Sequence, residues 1–284
     1  SGISGLELVA KTVVDGFVSG LHRSPHFGFS QEFAEYRMYS EGDDLRHVDW
    51  NVFARTDRTY LKRYRGETNT QITLLLDSSA SMGYGSSKTS KLEYARYLAA
   101  SLCYLSSQQR DAIGMVVFDD EIRDYVPPSS RQGQIARMLH SIDGARPGTR
   151  TDFAKPFVHC QNFLRRRGMI VVISDFYEEP ESVIRTMEPL RYKGSELILF
   201  HVLDPNEIAP SVTEPVLMID METQAEIEVS PDYVRQEYRS RIDAHIAALK
   251  DRAQRAGIDY FLIDTGKPLD EALREYLLVR QGRA

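Results

Sequence analysis

Two cysteines, Cys103 and Cys160, are all the thiols in 284 residues. A disulfide framework or a zinc site needs more, so both read as buried, reduced side chains of a cytoplasmic protein. No apolar run approaches the length of a membrane span, and the first residues lack a basic stretch followed by an apolar core. Neither a transmembrane segment nor a secretory signal is expected. Basic excess is lacking too: 35 Lys and Arg stand against 41 Asp and Glu, a formal charge of −6. That excludes a globally basic polyphosphate binder and argues against nucleic acid as a partner. No Gly-x-Ser-x-Gly surrounds Ser79 or Ser81, so a hydrolase nucleophile elbow is unsupported. The stretch from Gly83 to Thr89 resembles a phosphate loop only superficially, because Ser87 and Met82 stand where glycines are required. The histidines (His22, His26, His47, His140, His159, His201 and His245) do not recur at metal-ligand spacing and read as structural. Repeats, low-complexity tracts and long linkers are absent.

What is present is an alternation of patterns. Hydrophobic residues make up 42% and charged residues 27% of the chain, values of a globular protein. Residues 1–69 are polar and aromatic; a helical stripe of Leu6, Val9, Val13 and Phe17 opens them, Asp43-Asp44 caps a short helix, and Tyr60 to Tyr64 alternates like a strand of a small separate ribbon. From 70 onward, short apolar runs alternate with amphipathic segments. Residues 72–77, 112–118, 169–174, 196–202 and 258–263 read as strands covered on both faces. Residues 88–107, 131–142, 153–167 and 180–192 read as helices between them. This order predicts a three-layer α/β domain over 70–284, a doubly wound and mostly parallel sheet. Residues 122–126 form one antiparallel edge strand. A hairpin insertion falls near 215–229, and a long helix runs from Pro231 to Ala256, with Ser230 as N-cap and Gly257 as terminator.

The chemistry gathers at strand ends. The first core strand runs into Asp77-Ser78-Ser79-Ala80-Ser81, which places a carboxylate and two hydroxyls at alternate positions. The strand over 169–174 ends in Asp175, and Gly148-Thr149-Arg150-Thr151-Asp152 opens a helix. In open α/β sheets ligands bind at the carboxyl edge, where strand order reverses. Neighbouring strands at that point would bring Asp77, Ser79, Ser81, Thr151 and Asp175 together. Two carboxylates and three hydroxyls, without imidazole or thiolate, suit a hard divalent cation, Mg2+ before Mn2+ or Ca2+. Neutral hydroxyl ligands leave the ion net positive charge and an open position, which invites an external carboxylate. Either Thr149 or Thr151 offers the fifth oxygen, and Asp152 reads as a helix-start carboxylate.

Asp77-x-Ser79-x-Ser81, with the Thr151 and Asp175 segments behind it, resembles the metal-ion-dependent adhesion site of von Willebrand factor A domains, over roughly residues 70–265. The Thr-x-Thr pattern of those domains favours Thr151 as the ligand. At the front, Gly20 to Ser24, Gly28 to Phe33, Tyr36-Arg37-x-Tyr39-x-x-Gly42-Asp43-Asp44-x-Arg46-x-x-Asp49-Trp50 and Ala54-Arg55-Thr56 resemble the signature of the bacterial domain-of-unknown-function fifty-eight family. The resemblance implies a protein-protein interaction module that captures an Asp or Glu of a partner through its metal. It also implies work alongside a MoxR-type AAA+ ATPase, in complex assembly or chaperone-like maturation. Arg37, Arg46 and Arg55 either brace the fold through ion pairs or dock a partner, and the basic cluster Arg55, Arg58, Lys62, Arg63 and Arg65 is a solvated face or a dock for an acidic partner. Two rivals stand beside this binding module: a metal-assisted hydrolase or phosphoryl-transfer enzyme, and a metal-free scaffold whose serines cap a helix.

Overall fold

The structure, a computed structural model, describes residues 2–22, 33–38, 52, 59–64, 71–109, 111–148, 153–164, 167–192, 194–210, 215–219, 226–233 and 237–281. Two compact units divide the chain: Asp15–Asn69, and Ser1–Val14 with Thr70–Ala284. Helix α1 (Gly2–His22) buries Leu6, as expected, but then Ala10 and Val14 in place of Val9 and Val13, which are half-buried. In the smaller unit, β1 (Phe33–Met38) and β2 (Tyr60–Tyr64) pair antiparallel as a ribbon of their own. The strand at Tyr60 was expected; its partner carries no apolar run to announce it. The short helix expected after Asp43-Asp44 lies outside the described residues.

The larger unit is built on β3 (Gln71–Asp77), β4 (Ala112–Phe118), β5 (Ile122–Ser129), β6 (Met169–Ser174), β7 (Glu196–Leu203) and, after the hairpin β8 (Val216–Ile219) and β9 (Glu226–Val229), β10 (Asp259–Asp264). Six of these strands form one sheet in the order β10-β7-β6-β3-β4-β5, parallel except for β5. Ile72, Leu74, Leu75 and Leu76 on β3 are all at most 2% exposed, as a strand covered on both faces requires. Helices α2 (Lys91–Gln108), α3 (Gln134–Gly144), α4 (Ala154–Phe163), α5 (Pro180–Tyr192), the one-turn α6 (Pro205–Ile208), α7 (Arg239–Arg255) and α8 (Leu269–Gln281) complete the unit. One layer contains α2, α3 and α8, and the other α4, α5 and α7. Phe118, Phe153, Phe157 and Phe176 interlock edge-to-face or stacked beneath the second layer, together with Val183, Met187 and Leu249.

The expected three-layer, doubly wound sheet with one antiparallel edge is the fold observed. At that edge β5 ends in Pro127-Pro128, neither of which has an amide hydrogen to offer. Gly114 on β4 makes room for Pro128, whose ring a Cβ at Gly114 would strike. The Gln134 side chain donates to the carbonyls of Ile113 (2.6 Å) and Pro127 (2.9 Å), closing this corner of the sheet. Of the long helix expected over 231–256, the described parts are a helical turn at Pro231–Tyr233, capped by Ser230, and α7. Gly257 ends it with φ +64°, a conformation natural to glycine.

Candidate metal centre

Strand order reverses at β3. The chain leaves β3 for β4 on one side and later returns to β6 on the other, which opens a crevice at the carboxyl ends of β3 and β6. Asp77 closes β3, and the backbone beyond it is pinned residue by residue. Ser78 donates both its N–H (2.7 Å) and its hydroxyl (3.0 Å) to the Phe118 carbonyl on β4. Ser79 N–H donates to Asp77 Oδ1 at 2.8 Å. Ser81 begins a single 3-10 turn, Ser81–Gly83, anchored by the fully buried Met82. Ser78 is thus turned to β4, while the helical Ala80 between them lets the Ser79 and Ser81 hydroxyl oxygens meet 3.1 Å apart.

The second half comes from β6. Ser174 at its end donates from Oγ to Asp77 Oδ2 at 2.5 Å. Asp175 follows, 2% exposed, and next to it Phe176 takes φ +44°, the left-handed region a side chain rarely enters. That turn is held by Phe176 N–H on Ser174 Oγ (3.1 Å) and by the His245 ring on the Phe176 carbonyl (2.8 Å). Asp77 is wholly buried. Burial and the facing Asp175 charge push its carboxyl up to about 7, against the downward pull of the Ser174 and Ser79 hydrogen bonds.

Four of the five expected ligands have described positions: Asp77, Ser79 and Ser81 stand together, and Asp175 lies close enough for its charge to act on Asp77. Thr151 lies outside the described residues, as do Thr149 and Asp152. The residues on either side of that stretch are fixed to the site: Gly148 N–H donates to the Ser78 carbonyl at 2.7 Å, and Phe153 N–H to Glu178 Oε1 at 2.7 Å. Arg37 lies on β1, without a described side chain, and Arg46 and Arg55 lie outside the described residues.

A lysine not expected from the sequence also belongs to the site. Lys91, the first residue of α2 after the N-cap Ser90, is 0% exposed and donates to Asp175 Oδ2 (2.8 Å) and Glu207 Oε1 (2.7 Å). Its ammonium lies 4.7 Å from the centre of the Tyr177 ring. Burial alone would lower its pKa, but the two carboxylates prevail and hold it above the ordinary lysine value. Glu207 is raised by burial, with the Lys91 charge opposing. The signal that could have found Lys91 is its spacing: Tyr94, Ala95 and Leu98 follow three, four and seven residues on, all buried, so the lysine sits on the inward face of α2.

The donor set fits a small hard cation. Adjacent ligands of an octahedral Mg2+ with bonds of about 2.1 Å lie about 3.0 Å apart, close to the separation of the Ser79 and Ser81 oxygens. Among the described residues no three His, Cys, Asp or Glu side chains gather into a cage, so an ion here would depend on the serine hydroxyls.

This topology and layering are von Willebrand factor A-like in fold. The chain belongs to the family described as "Protein of unknown function DUF58", which it matches over residues 35–248. Uncharacterized protein Rv1480 of Mycobacterium tuberculosis and uncharacterized protein Mb1516 of Mycobacterium bovis are each 31% identical to it over 248 residues, 85% of this chain and 77% of theirs. Among solved structures, the conserved hypothetical protein BatB from Bacteroides thetaiotaomicron superposes with a TM-score of 0.51 at 14% identity, covering 76% of this chain and 100% of that one. The SpRpn10 VWA domain gives 0.42 at 12% identity, covering 72% and 95%. Among the described residues no helix is long and apolar enough to cross a membrane.

Proposed function

We propose that this chain is a protein-interaction module whose crevice holds a divalent cation, Mg2+ first, through Asp77, Ser79, Ser81 and Thr151. Asp175 acts on the ion directly or through water, and an Asp or Glu of a partner protein completes the shell. The fold class suits interaction between proteins, and the observation that carries the finer reading is the pair of serine oxygens 3.1 Å apart beside a buried carboxylate at the sheet's carboxyl edge. When bound, the ion would supply an electrophilic position for the partner's carboxylate. This chain's residues do the rest: Ser78 and Ser174 fix the β3 terminus, and the Asp77 carboxylate orients the Ser79 backbone. The buried thiols of Cys103 and Cys160, which form no disulfide, suit a reducing cytoplasmic setting. From the family resemblance we take the companion to be a MoxR-type AAA+ ATPase, in complex assembly or maturation.

The reading is of a binding module rather than an enzyme. Lys91, the lysine beside the site, is unsuited to act as a general base, because two carboxylates engage its ammonium and keep it charged. One observation favours a metal-free scaffold as the second reading: Lys91 already places a cation on Asp175. Calorimetric titration with Mg2+, Mn2+ and Ca2+, together with capture of a purified MoxR-type ATPase in the presence and absence of chelator, separates the two. Metal uptake and capture should both vanish in Asp77→Ala while the far-ultraviolet circular dichroism is kept. Full capture in excess chelator would sink the metal reading.

A further inference from the structure

We propose that Lys91 is an internal cation that competes with the divalent ion for Asp175, so that the sharing of its ammonium between Asp175 and Glu207 sets the metal affinity of the site. The inference rests on the reading of Asp77, Ser79 and Ser81 as a metal centre. Two carboxylates, those of Asp175 and Glu207, hold one ammonium that reaches no solvent, and the Asp175 charge also acts on Asp77. An ion seated on the Asp77 side draws on the negative charge of Asp175, the same charge that balances Lys91. A buried ammonium cannot be left without a counter-ion, so metal uptake must transfer Lys91 toward Glu207.

The site is built for that transfer. Glu207 is held in place independently, because its Oε2 accepts the Asp204 N–H at 2.9 Å in the capping box of α6. The Tyr177 ring lies against the ammonium and offers it a second stabilising surface. Lys91 itself is fully buried on the first turn of α2, whose inward face is packed by Tyr94, Ala95 and Leu98. Ion and ammonium are therefore linked through Asp175, each weakening the hold of the other by the same factor. The site would bind its ion weakly alone and more tightly once a partner's carboxylate adds negative charge.

Opposite effects from two substitutions test this. Lys91→Met removes the competitor and should tighten Mg2+ and Mn2+ binding by on the order of tenfold, measured calorimetrically. Glu207→Gln leaves the whole ammonium on Asp175 and should weaken binding by several-fold, on the order of the same coupling. General damage to the site would weaken both variants, so the opposed signs are diagnostic. Should Lys91→Met fail to fold, the Lys91→Met/Glu207→Gln protein, which removes the pair together, should still bind at least as tightly as the parent. Unchanged or weaker binding in the lysine variant that folds, or tighter binding in Glu207→Gln, overturns the inference alone. No binding dependent on Asp77 in any of these proteins would overturn the metal reading with it.

Discussion

The Ser174 hydroxyl lies 2.5 Å from Asp77 Oδ2 and joins the ends of two adjacent strands 97 residues apart in the chain. The same oxygen accepts the Phe176 N–H. Ser174→Ala therefore strips a donor from a buried carboxylate and a partner from a buried amide together. The expected loss is about 1–3 kcal/mol of unfolding free energy, measured by urea denaturation in chelator. A loss near zero would show that the two strand ends are held by something other than this bridge.

Ser81 is half-buried and its hydroxyl touches Ser79 Oγ. Ser81→Ala should weaken Mg2+ binding at least about tenfold and change thermal stability by less than about 0.5 kcal/mol. Metal binding that survives intact would remove Ser81 from the ligand set.

A Cβ on Gly148 would run into the Asp119 carboxylate, which Arg123 holds from Nε at 2.7 Å and 2.6 Å. The carboxylate cannot swing aside without breaking that pair. Gly148→Ala should cost about 1–3 kcal/mol and loosen the hydrogen bond to Ser78 that leads toward Thr151. Adding Asp119→Ala should restore most of the stability, a non-additivity read by a double-mutant cycle. Simple addition of the two losses would count against the clash.

His201 is fully buried between the Tyr260 hydroxyl, 2.7 Å from Nδ1, and the His245 ring. Burial first, then the neighbouring His245 and Lys91 charges, push its pKa down to about 3. A free histidine protonates near 6.5, about 3.5 units higher. Unfolding therefore takes up a proton between those values, and this residue's contribution to stability falls as pH drops from about 6.5 toward about 3. Imidazole nitrogen resonances should report a neutral ring at pH 5, and His201→Phe should flatten that part of the stability profile. A ring charged at pH 5 would refute the assignment.

The strands of the sheet were legible because burial on both faces writes itself as continuous apolar runs: Ala112–Phe118 and Met169–Ser174 fall where the sequence places them. Asp77 and Asp175 were legible as carboxylates terminating such runs. Helix ends were less so. The pattern continues to Arg167, yet α4 stops at Phe163 with Leu164 as its cap. The helix Leu269–Gln281 is not among those expected from the sequence, although Leu273, Tyr276 and Leu277 have helical spacing and are buried. The ion pair of Lys91 with Asp175 links residues 84 apart, and only the parallel pairing of β3 with β6 brings α2 over the β6 terminus. Local pattern carries no trace of such a meeting.

The paired prolines near the end of β5 limit what can pair with that end of the sheet. An unguarded outer strand invites a neighbouring chain to zip onto it, the route to fibrous polymers. Pro127 and Pro128 have no amide hydrogens to extend the ladder, and Gln134 already occupies the Pro127 oxygen. Recruitment by sheet extension is thus hindered at that end of β5.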